Sequence, residues 1–493
     1  MIAAALLLSA LAPQGPRVAT VQVPEGVTVT DASLLDVDLD GATDLVLACR
    51  GPEGSGRSVQ VHARRRGGQA FVSTPTTRFP LDRSVIAFTF CDCSPEPGRE
   101  LVLLTATTAA AVVVKTDGAP DYRQLFQHAL VWPAVRNDFA VSLPDAVADL
   151  DDDGRDDLVL PGPDRWTAWF QRAGGAFAAQ TVALPAWRDR VGDTLGGRGA
   201  DARDGSLRLR VGNGLPTQAA SSVLVRTSAR TPPRALLDLD GDGRDDVVTR
   251  RNGLVFVGAQ RRAGALERIE RALPLPEDRL QLVDPSFDVQ WPDVDGDGRR
   301  DLLLTTSAKR GDEVEARVDL FCAAEDGSWP ARRTARLRMQ PLGLPPQLVD
   351  ADGDGRDDLV CVTIRVASMR DFTGSEKRTL DAQLTVFGCD GDRFQKPPKL
   401  NVAIELGTGG RRSRQPFLRV RPGKKGFPGD VLLRVDGAVE RRLLGRQGDR
   451  LRLADADASV PAAAGTSVQS ADRIGDELLL RSGDEVRHVR FRR

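Results

Sequence analysis

The sequence predicts an all-β fold: a β-propeller of eight blades whose last blade is completed by the N-terminal strand. Three observations predict it. An aspartate-rich loop recurs along the chain, a short β-prone apolar run follows each copy, and the spacing of the copies closes on itself.

The clearest copy is LDLDGDGRDDVV, Leu237 to Val248, with near relatives in DVDLDGATDLVL from Asp36, DLDDDGRDDLVL from Asp149, DVDGDGRRDLLL from Asp293 and DADGDGRDDLVC from Asp350. Their last aspartates are Asp44, Asp157, Asp246, Asp301 and Asp358. The 113 residues from the first to the second are too many for one unit, so a worn copy is expected between them. CDCSPEPGRELVLL fits, with Asp92 in the first acidic position and Glu100 in the last. Two more worn copies end at Asp430 in GFPGDVLL and at Glu477 in RIGDELLL. The spacings are then 56, 57, 89, 55, 57, 72 and 47 residues, a period suited to propeller blades or similar arrays. Counted round from Glu477 to Asp44 without the first 12 residues, the gap is 48, one further repeat.

Within a repeat, the apolar run is followed by a turn and by alternating stretches such as SVQVHARR, QAFVSTPT and SVIAFTF, giving four short strands, the content of a blade. The C-terminal EVRHVRF reads as a third strand. The N-terminal RVATVQVP reads as the missing fourth, which would leave no open sheet edge. Two repeats are long, with insertions around Asp189 to Ser222 and near Ala367 to Asp381. Such loops either form a binding face or have no role of their own.

The loop itself has the chemistry of a calcium site. Calcium takes six to eight oxygens at about 2.3 to 2.6 Å, and Asp at positions 1, 3 and 5 of a tight loop can point alternate carboxylates inward. Glycine at position 6 permits the turn, the carbonyl of position 7 adds an oxygen, and Asp at position 9 closes the shell. The expected ligands are Asp36, Asp38, Asp40, Ala42 and Asp44; Asp149, Asp151, Asp153, Arg155 and Asp157; Asp238, Asp240, Asp242, Arg244 and Asp246; Asp293, Asp295, Asp297, Arg299 and Asp301; and Asp350, Asp352, Asp354, Arg356 and Asp358. An EF-hand would need Glu at position 12, where this chain has Leu47, Leu160, Thr249, Leu304 and Cys361. Ordinary solvated Asp-Gly turns are the plainer alternative, and five copies in step with the fold argue against it. The worn copies are poor sites: Asp92, Ser94, Glu96 and Glu100 lack the correctly placed glycine, and Lys424 in the seventh repeat opposes a cation. About five calcium ions are therefore expected.

These loops resemble the FG-GAP and VCBS repeats, the calcium-loop blades of integrin alpha-chain propellers and of many exported bacterial proteins. The resemblance covers about Val27 to Phe491. It implies a propeller, usually of seven blades, so that seven is the alternative to the eight counted here, and it implies adhesion or ligand binding more often than catalysis.

Composition bounds the rest. The 493 residues are 41% hydrophobic and 28% charged with a net charge of −1, which suits a soluble globular chain and demands neither an acidic nor a basic partner. Five divalent ions would bring the charge to +9, which would suit an acidic cell-surface polysaccharide as well as a protein partner. The arginines are spread without a basic block or aromatic interleaving, which argues against nucleic acid. Residues 1–12 read as a secretory signal, Ile2 to Ala12 being apolar and ending in small residues. A buried N-terminal strand or helix is the alternative. Residues 13–493 then form a single propeller domain, secreted, periplasmic or on the cell surface, and no later stretch is apolar enough to span a membrane.

The six cysteines are compatible with disulfides in an exported chain, and Cys322 with Cys389 is the first pair to test. Cys91 and Cys93 lack the partners of a zinc site. No catalytic motif is present, and the three histidines, His62, His128 and His488, read as strand residues, so no enzyme activity is expected. A lectin is the alternative, with Trp166, Trp169 and Trp187 gathered in the third repeat. Core filling of that blade is the competing role for them. Arg310-Gly311-Asp312 and the glycines at Gly407 to Gly410 match motifs only by composition.

Overall fold

In the computed structural model the described residues run from 16 to 491, leaving out residues 115–119, 132–140, 186–207, 213–225, 273–285, 365–378, 408–415, 471–476 and some shorter stretches. The expected signal segment, Trp187, Asp240, Glu96, Gly311, Asp312 and nearly all of both insertions lie outside the described residues.

The fold is an all-β, eight-bladed β-propeller, and the described residues contain no α-helix. Blade 1 comprises Thr28–Leu35, Asp44–Arg50, Arg57–His62 and Thr77–Leu81, paired in sequence order with every pair antiparallel. Blade 2 (Ala87–Cys91, Glu100–Leu104, Thr108–Val114, Pro120–Gln127) gains a fifth, parallel strand, Val141–Ser142, beside its first. Blade 3 has Val147–Ala148, Asp157–Pro161, Arg165–Arg172 and Ala176–Pro185, and blade 4 has Arg234–Leu237, Asp246–Arg251, Leu254–Arg262 and Ala265–Ala272. Arg208–Gly212, within the first insertion, and Arg226–Arg230, just after it, form a separate two-stranded sheet.

Blade 5 has Ser286–Gln290, Leu302–Arg310, Glu313–Phe321 and Ala335–Met339, and blade 6 has Gln347–Val349, Asp358–Ile364, Thr379–Asp390 and Leu400–Gly407. Blade 7 follows with Leu418–Arg421, Asp430–Val435, Ala438–Gln447 and Arg450–Pro461. Blade 8 takes Ser467–Ser470, Glu477–Ser482 and Glu485–Arg490 from the C-terminus and its fourth strand, Arg17–Gln22, from the N-terminus. The pairing runs from Arg17 against Arg490 to Gln22 against Glu485, as the sequence predicts. By internal contacts the chain forms two units: residues 25–68 with 74–273, holding blades 1 to 4, and residues 1–24, 69–73 and 274–493, holding blades 5 to 8.

The apolar run after each loop is the second strand of its blade, and its lack of alternation has a simple cause. A strand covered on both faces needs apolar side chains at every position. In blade 2, Leu101 and Leu103 pack with Val46, Val59 and Val61 of blade 1, while Val102 and Leu104 pack with Leu158 and Leu160 of blade 3. Blade 6 does the same: Leu359 and Cys361 join the blade 5 cluster of Leu303, Val318 and Leu320, and Val360 and Val362 join Val431 and Leu433 of blade 7. Burial of each such Leu contributes about 1.5 to 3 kcal/mol. Fourth strands lose this cover on one face, and Thr77–Leu81 accordingly alternates between exposed and covered positions.

All six cysteines are free, Cys322 and Cys389, the first pair to test, included. Both pack instead, with Cys361, in the apolar cluster of blades 5 and 6. Burial pushes the Cys49, Cys361 and Cys389 thiols up to about 12. Trp166 is buried in blade 3, and Trp169 stacks on Phe126 with ring centroids 3.8 Å apart, so both tryptophans are core. The three histidines are likewise buried.

Candidate metal centre

In every blade the aspartate-rich or worn loop joins the first strand to the second, and the acid at its last position opens or immediately precedes that second strand: Asp44, Glu100, Asp157, Asp246, Asp301, Asp358, Asp430 and Glu477. The eight-residue set assembled from spacing alone is thus one structural position seen eight times.

The five full loops share a hydrogen-bond pattern. The position 1 carboxylate accepts the N–H of the position 6 glycine, at 3.0 Å for Gly41 to Asp36, 2.8 Å for Gly154 to Asp149, 2.9 Å for Gly243 to Asp238, 3.0 Å for Gly298 to Asp293 and 2.9 Å for Gly355 to Asp350. These glycines have φ between 79° and 90°, the left-handed region that glycine alone enters without strain. Position 4 is left-handed as well, and there blades 1 and 3 place Leu39 and Asp152. That second left-handed residue was not anticipated, although Gly241, Gly296 and Gly353 marked it in the other three loops.

Position 5 accepts the N–H of position 7, from Ala42, Arg155, Arg244, Arg299 and Arg356, at 2.8 to 3.0 Å. The guanidiniums of Arg155 and Arg299 fold back onto Asp153 and Asp297. Arg356 instead meets Asp390 at 2.7 Å.

Position 9 is the buried end of the loop. One oxygen accepts the N–H of position 2, from Val37, Leu150, Leu239, Val294 or Ala351, at 2.8 to 3.2 Å. In blades 1, 3 and 5 the other oxygen accepts a backbone N–H from the end of the third strand or just beyond it, Arg64, Gln171 or Ala323, each at 2.8 Å. Burial disfavours the charged form and outweighs these donors, raising Asp157 to about 7 and Asp301 to about 6, with Asp44 raised in the same sense.

Among the described residues, three of the expected carboxylates converge in each of four full loops. Ligand oxygens of Asp36, Asp38 and Asp40, of Asp149, Asp151 and Asp157, of Asp293, Asp295 and Asp297, and of Asp350, Asp352 and Asp358 each lie within 4.8 Å of one another. In blade 5, Asp295 and Asp301 also converge with Cys322. The blade 4 loop shows the same turn through Asp238, Asp242 and Asp246, with Asp240 outside the described residues.

Two oxygens test whether a cation fits. Asp36 Oδ1 and Asp151 Oδ1 are buried without a hydrogen-bond partner, and Asp151 is 93% buried. Arg172, through Nη1 at 3.1 Å, meets the other oxygen of Asp151. A buried carboxylate oxygen with no donor is costly unless a cation or water completes it. In blades 1 and 3 the oxygen donors, the left-handed turns and these two orphans fit a hard divalent ion.

The worn loops have other partners. Arg421 and Asp430 form a buried pair in blade 7. In blade 8, Glu477 meets His488 at 3.2 Å and Arg490 at 3.7 Å. Glu100 of blade 2 accepts the Cys93 N–H at 2.9 Å and the Ser94 hydroxyl. Two worn loops also brace the full loop of the preceding blade: Arg99 N–H donates to Val37 O at 2.7 Å, and Gly423, Gly426 and Gly429 donate to Asp350, Gly353 and Ala351 carbonyls at 2.8 to 2.9 Å.

The blade 6 loop departs from its siblings. The Lys399 ammonium sits among its carboxylates, 2.7 Å from Asp352 Oδ2, 2.9 Å from Asp358 Oδ1 and 3.3 Å from Asp354 Oδ2. Burial opposes the charge on Lys399, but the Asp352 and Asp358 hydrogen bonds prevail and hold its pKa above the ordinary lysine value. Asp358, desolvated, still lies at about 6.

No family model matches the chain, and no curated protein does. Among solved structures, a lectin of Agrocybe aegerita described as recognising non-reducing terminal N-acetylglucosamine aligns over 80% of this chain and 90% of its own, at 14% identity and a TM-score of 0.39. The extracellular domains 1–2 of Drosophila Semaphorin 1a align over 96% and 88%, at 10% identity and a TM-score of 0.35. A protein from Lactobacillus plantarum aligns over 91% and 98%, at 10% identity and a TM-score of 0.31. Likenesses this low carry no argument about function. No helix among the described residues is long and apolar enough to cross a membrane.

Proposed function

We propose that this chain is an exported, calcium-braced propeller of the FG-GAP/VCBS type that binds a protein or a cell-surface polysaccharide and has no catalysis of its own. The observation that carries the metal reading is the pair of partnerless buried oxygens, Asp36 Oδ1 and Asp151 Oδ1, inside loops whose turns are otherwise hydrogen-bonded. Calcium, when bound, would supply the positive charge that a cluster of desolvated carboxylates lacks. Asp36, Asp38 and Asp40, Asp149, Asp151 and Asp157, the blade 4 aspartates, and Asp293, Asp295 and Asp297 would hold it, with the position 7 carbonyls as the expected further donors.

The chain's own residues do the rest. Position 1 and position 9 carboxylates tie the loop to its backbone and to the second strand, so cation occupancy is coupled to the corner of the blade and contributes to folding stability. The metal centre is thereby a brace, and partner binding belongs to other surfaces. Burial of His62, His128 and His488 supports the non-catalytic reading, because a general base needs access to its substrate.

Calcium uptake by equilibrium dialysis, together with thermal melting in calcium and in chelator, tests the brace. An unchanged melting temperature with no uptake would refute it. Capture of ligands from the native cell surface, with and without calcium, tests the binding reading.

A further inference from the structure

We propose that the Lys399 ammonium is the resident cation of the blade 6 loop, so that this full repeat takes up no divalent ion and the protein binds one ion fewer than its number of full loops. The inference rests on the calcium reading only for the other loops.

Lys399 satisfies the acids at positions 3, 5 and 9 together, and the three N–H bonds of an ammonium match three acceptors. The oxygen it takes from Asp358 is the one that, in blades 1, 3 and 5, accepts a backbone N–H from the third-strand side. The lysine has therefore replaced a donor that its siblings keep and filled the space between the carboxylates. Its side chain is 11% exposed, so little water screens the contact.

The surrounding chain is shaped for it. Asp358 faces Gly388 across the strand pair, and a Cβ on Gly388 would lie 2.6 Å from Lys399 Cε. The same Cβ would lie 2.5 Å from Gln395 Oε1, so a glycine there lets both side chains lie close to the strand. Extending the register by one pair places Ala63, Phe170, Ala259 and Cys322 at the matching position in blades 1, 3, 4 and 5, each with a side chain. The Lys399 backbone is anchored in turn, its carbonyl accepting Leu451 N–H at 2.8 Å.

Asp352 and Asp350 of the loop have further partners. Arg446 donates through Nε at 3.0 Å and Nη2 at 2.7 Å to the Asp352 carbonyl, and Nη2 lies 3.3 Å from Asp352 Oδ1. Asp350 accepts the N–H groups of Gly353, Asp354 and Gly355. Blade 7 closes over the turn, leaving no room at Gly353, where a Cβ would lie 2.3 Å from Phe427 O. Blade 6 thus keeps the shape of the full repeat while supplying its own positive charge.

The test counts calcium per chain by native mass spectrometry in the full-length protein, wild type against Lys399→Met, whose side chain has similar length without charge. The expected result is one additional ion in Lys399→Met; an equal count overturns the proposal. Two wild-type-lysine variants guard against misfolding of Lys399→Met: Asp352→Asn should leave the count unchanged, whereas Asp38→Asn in blade 1 should lower it by one. Loss of an ion in Asp352→Asn overturns the proposal. If wild type binds no ion and Lys399→Met binds one, the assignment of Lys399 stands and the calcium reading of the other loops fails.

Discussion

Arg421 and Asp430 form a two-point ion pair at the corner of blade 7, with Nε 2.5 Å from Oδ1, Nη2 on Oδ2, and both residues buried. The third arm of the guanidinium donates to Phe491 O at 2.9 Å and ties blade 7 to the end of blade 8. Asp430 occupies the position 9 place, so an arginine here meets the buried acid that the full loops surround with further carboxylates. Removing one partner of a buried pair strands the other and costs about 3 to 5 kcal/mol. Arg421→Met should therefore lower the denaturation midpoint sharply without changing the number of bound calcium ions. Arg421→Met combined with Asp430→Leu should recover much of the loss. Equal stability of the single and double variants would show that the stranded charge is not the cause.

Chelation should destabilise the protein, and the effect should be traceable to single loops. A site saturated at a hundred times its dissociation constant contributes about 2.7 kcal/mol. Asp151→Asn removes charge from the blade 3 cluster while keeping the Arg172 contact sterically possible. It should lose one ion, and its melting temperature should fall less than that of wild type when chelator is added. Identical chelator shifts in the two proteins would separate Asp151 from the metal.

Much of this architecture was legible in the chain. The position 9 acids could be found even in worn repeats, because a strand buried on both faces leaves an unbroken apolar run that marks its own start. Val18 to Val21 could be matched to the last blade because the circular gap lacked one strand. The cations were not legible. Lys399 lies 41 residues beyond Asp358 and Arg446 lies 94 beyond Asp352, and neither belongs to the loop motif. In the sequence the worn loop of blade 7 shows only the loss of a site, with Lys424 opposing a cation. Its glycines serve instead to approach the backbone of Asp350 to Gly353 closely.

The N-terminal strand gives a prediction with an internal control. Val21 is 1% exposed and pairs with Val486, whereas Val18, on the same strand, is 46% exposed. Val21→Asp buries a charge without a partner and should destabilise by several kcal/mol, on the order of the cost of an uncompensated buried polar group or more. Val18→Asp should melt close to wild type. The comparison is made by thermal melting in saturating calcium, and equal losses for the two variants would argue against a strand with one covered face.

The thiols should be inert in the native protein. Five of the six are buried, Cys322 is half-buried, and burial holds Cys49, Cys361 and Cys389 at about 12, far from the thiolate form that reacts. Alkylation followed by mass spectrometry should label Cys322 first, with all six accessible only after unfolding without reductant. Fewer than six labels in the unreduced, unfolded chain would reveal a disulfide.

Without metal, acidification should stabilise the protein. Asp157 at about 7 and Asp301 at about 6 both lie above the ordinary carboxylate value of the unfolded chain. Between about pH 4 and their folded values, the native state binds more protons than the unfolded state, so stability falls as pH rises. Their contribution is fully present below the unfolded value and is lost as pH rises through about 6 to 7. Each group gives a slope of at most about 1.4 kcal/mol per pH unit. In chelator, the melting temperature should therefore increase from pH 7.5 to pH 5, and Asp157→Asn should flatten the trend. In saturating calcium the sign should reverse, because protons and the ion compete for the same carboxylates. A chelated protein whose melting temperature falls steadily over that acid range would mean that these aspartates are not held protonated by burial.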